Sequence, residues 1–192
     1  MPDRDVITIR DVIYFQYAKL IARSAHKLPD GHAVKAKCYG FVKKTFRDLQ
    51  SGRKRWSDIL REDRQLVEAP KACLYCGATD NLTWEHIVPR SLKINDRCAT
   101  CDVIQGIHNQ VWCCAACNSR KGARGLYSFY REILPEKPKF YDYIPALAEK
   151  KYLKTVYSCC DCAKALDQGD IDGDGVLTVM DVEEVGKRHL KG

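Results

Sequence analysis

The chain has 192 residues, 45% of them hydrophobic, which is enough for one or two small globular units with a buried core. Its 32 Lys and Arg against 25 Asp and Glu give a formal charge of +7, a balance that suits a nucleic-acid partner. No stretch is apolar enough to span a bilayer and the Met1-Pro2-Asp3-Arg4-Asp5 start has no apolar signal region, so the composition excludes an integral membrane protein and points to the cytoplasm.

The N-terminal third reads as helical. Ile13, Tyr17, Leu20, Ile21 and Ala25 recur on one face of a helix over residues 9–26, which Pro29-Asp30-Gly31 breaks. Ala36, Tyr39, Val42, Phe46 and Leu49 give a second helix ending near Ser51-Gly52, with Lys37, Lys44 and Arg47 opposite. Ser57 is placed to cap a third helix running to Glu68, stopped by Pro70. Basic residues cluster at Lys35, Lys37, Lys43, Lys44 and Arg47 and again at Arg53-Lys54-Arg55. The segment is either a helical support for the following unit or an arm that clamps DNA.

The middle of the chain carries the chemistry. Cys73-x-x-Cys76 is followed by Glu85-His86-Ile87-Val88-Pro89-Arg90, then by Asn109 and by Cys114-x-x-Cys117-Asn118-Ser119-Arg120-Lys121-Gly122. Four thiolates offer a tetrahedral metal site; Glu85, His86 and Asn109 lie between the pairs, and Asn118 directly follows the second. Phosphodiester hydrolysis needs an activated water and a positive charge on the departing oxygen. A neutral imidazole suits the first need, and a hard divalent cation held by a carboxylate and an amide oxygen suits the second. His86 is therefore the candidate general base, and Glu85 and Asn118 are candidate ligands of Mg²⁺ or Mn²⁺. Adjacent strand residues point to opposite faces, so Glu85 and His86 share one site only if the strand ends or bends there; Pro89 is placed for that. Arg120, Lys121 and Arg124 follow the helix start directly and, with Arg90, would meet phosphates approaching the cation.

This ordered set, over Cys73 to Arg124, resembles the HNH endonucleases, which are built on a ββα-metal core. The resemblance implies a zinc-stapled α+β unit in which Cys73 and Cys76 pair with Cys114 and Cys117 around structural zinc. It implies His86 as the base, Asn109 as the amide that pins the loop carrying it, and metal-dependent cleavage of DNA to 5′-phosphate and 3′-hydroxyl ends. The chain departs from the family in having Glu85 where Asp or His is usual, and in a longer stretch between His86 and Asn109. That stretch carries Cys98-x-x-Cys101.

Eleven cysteines include four Cys-x-x-Cys pairs. With the first and third pairs assigned by the resemblance, Cys98, Cys101, Cys159 and Cys162 remain for a second zinc site, the alternatives being free thiols or a redox disulfide. Leu126, Phe129, Tyr130 and Ile133 continue a helix beyond the core; residues 135–145, with three prolines, read as an extended connector, and 146–157 as a further helix. Asp170-Ile-Asp172-Gly-Asp174-Gly175-Val176-Leu-Thr178-Val-Met-Asp181 has the form of a twelve-residue EF-hand loop. Asp170, Asp172, Asp174 and Asp181 supply side chains to Ca²⁺ and Val176 a carbonyl. The last-position Asp resembles dockerin repeats, and the bland alternative is an acidic turn.

The expected architecture is α+β: a helical region over 1–69, the nuclease core over 70–134, and a helical C-terminal segment with the calcium loop over 135–192. Two function classes follow, a metal-dependent DNA endonuclease or a zinc module with a decayed site that binds nucleic acid or a protein.

Overall fold

A computed structural model describes residues 4–29, 31–55, 68, 70–91 and 101–185. Helix α1 (Ile9–Ala25) starts from a reciprocal cap. Thr8 Oγ1 accepts from the Asp11 amide at 3.2 Å, and Asp11 Oδ2 accepts from the Thr8 amide at 3.1 Å. The sequence suggested one apolar stripe, but Ile9, Val12, Phe15, Ala18 and Ala22 are buried as well as Ile13, Tyr17 and Leu20, while Ala25 is exposed. The reason is tertiary: α1 is central, flanked by α2 (Tyr39–Gln50) and, on other sides, by two C-terminal helices. The expected third helix, from Ser57, lies outside the described residues.

A two-stranded antiparallel sheet follows, β1 (Leu82–His86) against β2 (Gln110–Cys114). Its register pairs Leu82 with Cys114, Trp84 with Trp112 and His86 with Gln110 on one face, and Thr83 with Cys113 and Glu85 with Val111 on the other. Between the strands lies a short helix, α3 (Asp102–Gln105), and β2 runs directly into α4 (Ala115–Lys121). Helix α5 (Leu126–Ile133) matches the expected continuation. The expected extended connector contains a 3₁₀ turn at Phe140–Tyr143. Helix α6 (Ala146–Cys162) runs a turn beyond its expected end and carries Cys159, Cys160 and Cys162; a last short helix, α7, spans Asp181–Glu184.

Mixed helix with a small two-stranded sheet is an α+β arrangement. The three sequence segments share one hydrophobic cluster that runs from Val6 to Val185. Two backbone bonds tie the ends together, from the Ile9 amide to the Gln168 carbonyl (2.8 Å) and from the Arg10 amide to the Leu166 carbonyl (2.9 Å). Glu183 on α7 caps α5 from outside: its carboxylate accepts from the amides of Tyr127 (2.7 Å) and Ser128 (3.0 Å), from Ser128 Oγ and from the Tyr152 hydroxyl (2.8 Å). Those amides are unpaired in any first helical turn, so a buried carboxylate is well matched to them. Gly125 makes room, since a Cβ there would stand 2.3 Å from Glu183 Cδ. Helix α5 is thereby held beneath the hairpin, where Phe129 and Tyr130 meet the Tyr75 ring edge-on. No helix among the described residues is long and apolar enough to cross a membrane.

Candidate metal centre and the two faces of the hairpin

Cys73 and Cys76 lie on a tight turn. The Gly77 amide donates to the Cys73 carbonyl at 2.8 Å, with Gly77 at φ 78°, and the Leu74 amide donates to Trp112 on β2 at 2.9 Å. Cys114 ends β2 and begins α4; Cys117 follows within its first turn. The four sulfurs lie within 4.8 Å of one another. Cys76 Sγ and Cys114 Sγ are 3.7 Å apart. A metal–sulfur distance of about 2.3 Å implies a tetrahedral sulfur–sulfur edge of about 3.8 Å, so the spacing fits a tetrahedral ion. This group can hold a metal. The thiols differ without one: burial opposes ionisation of Cys73, but amides of Cys114, Cys76 and Tyr75 bring it down to about 7. Burial and the neighbouring thiols raise Cys117. Only a cation would let all four carry charge together.

Cys98 lies outside the described residues. Cys101 is half-buried at the start of α3, Cys159 is buried and Cys162 exposed. These three do not form a ligand group among the described residues, although α3 packs against α6, the helix that carries Cys159 and Cys162.

Asn109 is fully buried. Its Oδ1 accepts from the Val88 amide at 2.9 Å, and its Nδ2 donates to the carbonyls of Val88 and Ile104, both at 2.8 Å. Its own carbonyl accepts from the Ile87 amide at 2.8 Å. The turn after His86 is thus fixed by one side chain with three hydrogen bonds. His86 itself is half-buried at the end of β1 and shares its face with Trp84 and Trp112, whose rings stack 3.9 Å apart. Its Nε2 is 3.5 Å from Gln110 Nε2. Burial lowers the His86 pKa below its usual 6.5, and the Arg90 and Lys121 cations push the same way, so the ring is neutral at pH 7.

Glu85 has a different fate from the one expected. Strand alternation turns it inward, opposite to His86, and it is 6% exposed. Lys121 Nζ, fully buried, donates to Glu85 Oε1 at 2.6 Å, and the Tyr75 hydroxyl donates to Oε2 at 2.7 Å. Lys121 also donates to the His86 carbonyl at 3.3 Å. Both carboxylate oxygens are occupied, and the local charge is already balanced. Glu85 and Asn118 therefore do not form a ready ligand pair for a hard cation. The Asn118 side chain, half-buried on α4, makes no hydrogen bond among the described residues.

Lys121 is likewise not a phosphate contact, because it is sealed in this ion pair. Arg124 ties down the end of α4, donating to the Arg120 carbonyl at 2.8 Å, and meets Glu132 at 2.6 Å. Arg90 and Arg120 are exposed. Sequence reading missed the Tyr75–Glu85–Lys121 unit and the Trp84–Trp112 stack. Alternation along Trp84-Glu85-His86 was the available signal, since only one of Glu85 and His86 can face outward.

In the C-terminal loop, Asp170, Asp172 and Asp174 converge with one oxygen each inside 4.8 Å. Asp181 does not join them. It is fully buried, its Oδ1 accepting from the Ile171 amide (2.7 Å) and its Oδ2 from the Thr178 amide (2.7 Å), so it staples the two ends of the loop. Asp170 accepts from the amides of Gly173 (2.9 Å) and Gly175 (2.7 Å), and the Val176 amide donates to Asp174 Oδ1 at 2.7 Å.

No protein-family model matches the chain, and neither curated proteins nor solved structures give a significant match.

Proposed function

We propose that the protein is a DNA endonuclease of the HNH kind, with a ββα unit stapled by zinc at Cys73, Cys76, Cys114 and Cys117. The observation that carries this reading is Asn109. Its side-chain bonds to Val88 and Ile104 hold the turn after His86 while β2 delivers Cys114 to the sulfur group, which is the arrangement the HNH resemblance implies. His86, neutral at pH 7 on the accessible face of the hairpin, takes the proton of the attacking water. A bound Mg²⁺ or Mn²⁺ would supply positive charge at the departing oxygen. Asn118 is the side chain that remains able to meet such an ion; Glu85 would join it only by releasing Lys121. Arg90 and Arg120 steer the phosphates.

Plasmid DNA incubated with the protein and Mg²⁺ or Mn²⁺ should be nicked or cut, and EDTA should stop it. The acid limb of the rate should fall below pH 6.5, because the folded His86 pKa is lowered. DNA left intact with every divalent cation would sink the nuclease reading.

The Glu85–Lys121 pair favours a second reading: a zinc module that binds DNA without cutting it, its acid having been given a protein cation in place of a metal. Calcium in the 170–181 loop is part of the same proposal, supported by the convergence of three aspartates that repel one another without a cation. Calcium at millimolar concentration should raise the melting temperature, and Asp172→Ala with Asp174→Ala should remove that rise.

A further inference from the structure

The charge of this protein is not spread over it. Residues 35–55 contain Lys35, Lys37, Lys43, Lys44, Arg47, Arg53, Lys54 and Arg55 and a single acid, Asp48, a net of +7. Taking these 8 bases from 32 and this 1 acid from 25 leaves 24 of each, so the remaining chain sums to zero. The whole formal charge resides in one segment, centred on α2.

The structure gives that segment a shape. Val42, Thr45, Phe46 and Leu49 are buried against the core. Gly40, Lys43, Lys44 and Arg47 follow one another at helical spacing on the other side. With Asp48 and Arg53 they line an open concavity of about 750 Å³. Asp48 is bridged by Lys44 (2.7 Å) and Arg53 (3.3 Å), so the one acid serves to place two cations. The Lys44 hydrogen bond holds its carboxyl below the usual range. Arg47 meets Asp5 at 3.3 Å. Each of these pairs is solvent-exposed and worth little in stability, so the cations can exchange partners.

We propose that this face of α2 is a docking surface for the phosphate backbone of duplex DNA. A lipid surface is the poorer occupant, because the apolar side of α2 is already buried in the core and, among the described residues, Phe41 is the one large apolar side chain exposed beside the cations. An open basic concavity without apolar anchors also differs from the apolar centre of a protein interface. The inference rests on the DNA-acting reading for its choice of polyanion, but not on His86 chemistry.

The test is fluorescence anisotropy of a labelled DNA duplex, titrated with the full-length protein across a KCl series. Three variants are compared: Lys43→Gln/Lys44→Gln/Arg47→Gln/Arg53→Gln, Gly40→Glu and His86→Ala. The fourfold variant should weaken binding at least tenfold near 0.1 M salt and flatten the slope of log K against log salt by about 0.9 per lost phosphate contact. Gly40→Glu places an acid where an added Cβ meets nothing within 4 Å, in the first turn of α2, so it should weaken binding several-fold with no fall in melting temperature. His86→Ala should bind like the parent. Parent-like affinity and salt slope in the fourfold variant would overturn the proposal, as would tighter binding to duplex RNA or only to an acidic protein. A parent that binds DNA through α2 yet never nicks it would overturn the nuclease reading and leave this one standing. Nicking with parent-like binding in the fourfold variant would do the reverse.

Discussion

Glu85 and His86 are consecutive residues that ended up in different worlds. On the inner face of the hairpin, Glu85 is dry, paired with a fully buried Lys121 and bonded to Tyr75. On the outer face, His86 stands half-buried beside the stacked tryptophans, with its ring kept neutral by burial and neighbouring cations. On the inner face the site around Glu85 has the features of a core, with both carboxylate oxygens bonded. The outer face leaves a base accessible. One strand thus divides a pair that the motif reading joined, one residue sealed in an ion pair and the other turned toward the opposite, more open face.

The strongest way to break that division lies at the end of the hairpin. Cys114→Ser should remove one metal ion per chain and unfold the ββα unit, because a structural metal supplies much of the folding energy of so small a sheet. Metal analysis with circular dichroism checks this; a folded variant of unchanged metal content would contradict it. Next, Lys121→Met leaves Glu85 buried without its cation, with only the Tyr75 hydroxyl still bonded to it, and should cost about 3–5 kcal/mol in denaturant unfolding. Adding Glu85→Leu should recover most of that loss, since replacing both members of a buried pair is often close to neutral. A double variant as unstable as the single would mean that the pair is not the unit described.

A second buried carboxylate sharpens the contrast. Glu149 forms no ion pair among the described residues; it accepts from Tyr127 at 3.0 Å and lies 3.5 Å from Gln16 Nε2, and burial raises its pKa to about 7 against the opposing pull of Tyr127, Lys19 and Arg23. Because the folded state holds this proton more tightly than the unfolded chain, stability should fall as pH rises from about 4.5 to 7 and level off above. Glu149→Gln should abolish that decline and gain up to about 3 kcal/mol over the parent at pH 7 and above, by the scale of pKa shift to free energy. A parent-minus-variant difference that does not change with pH would remove Glu149 from this account. The smallest effect belongs to the outer face. Trp84→Phe, which keeps a ring on the exposed face but weakens the stack, should cost no more than about 0.5–1.5 kcal/mol, the worth of an aromatic pair beyond its buried area, as thermal unfolding would show.

Much of this was legible in the sequence, for reasons that differ by element. Helices α1, α2 and α5 declare themselves by apolar periodicity, and the sulfur group by two short spacings on either side of a hairpin; α6 was expected over 146–157 without such a pattern and runs to Cys162. The fate of Glu85 was legible in principle, because alternation along a strand is fixed; what hid it was Lys121, thirty-six residues away and resembling part of a basic surface run. Asp181 misled for the same reason. A carboxylate at the last loop position reads as a ligand, but only the fold shows that backbone amides at both loop ends already claim it. Long-range partners decide what a charged side chain does, and no local pattern contains them. The charge of α2 was visible as clusters, but its identity with the charge of the whole chain emerges only when the rest is counted.

On the proposed function, the outer face of the hairpin does chemistry through His86. The most direct test is the initial rate of plasmid nicking by His86→Ala against the parent, in Mn²⁺ or Mg²⁺, at matched metal content and DNA occupancy. A loss of about 10²–10⁴-fold is expected with folding and binding unchanged, the usual contribution of a general base. A variant that nicks at the parental rate would contradict it.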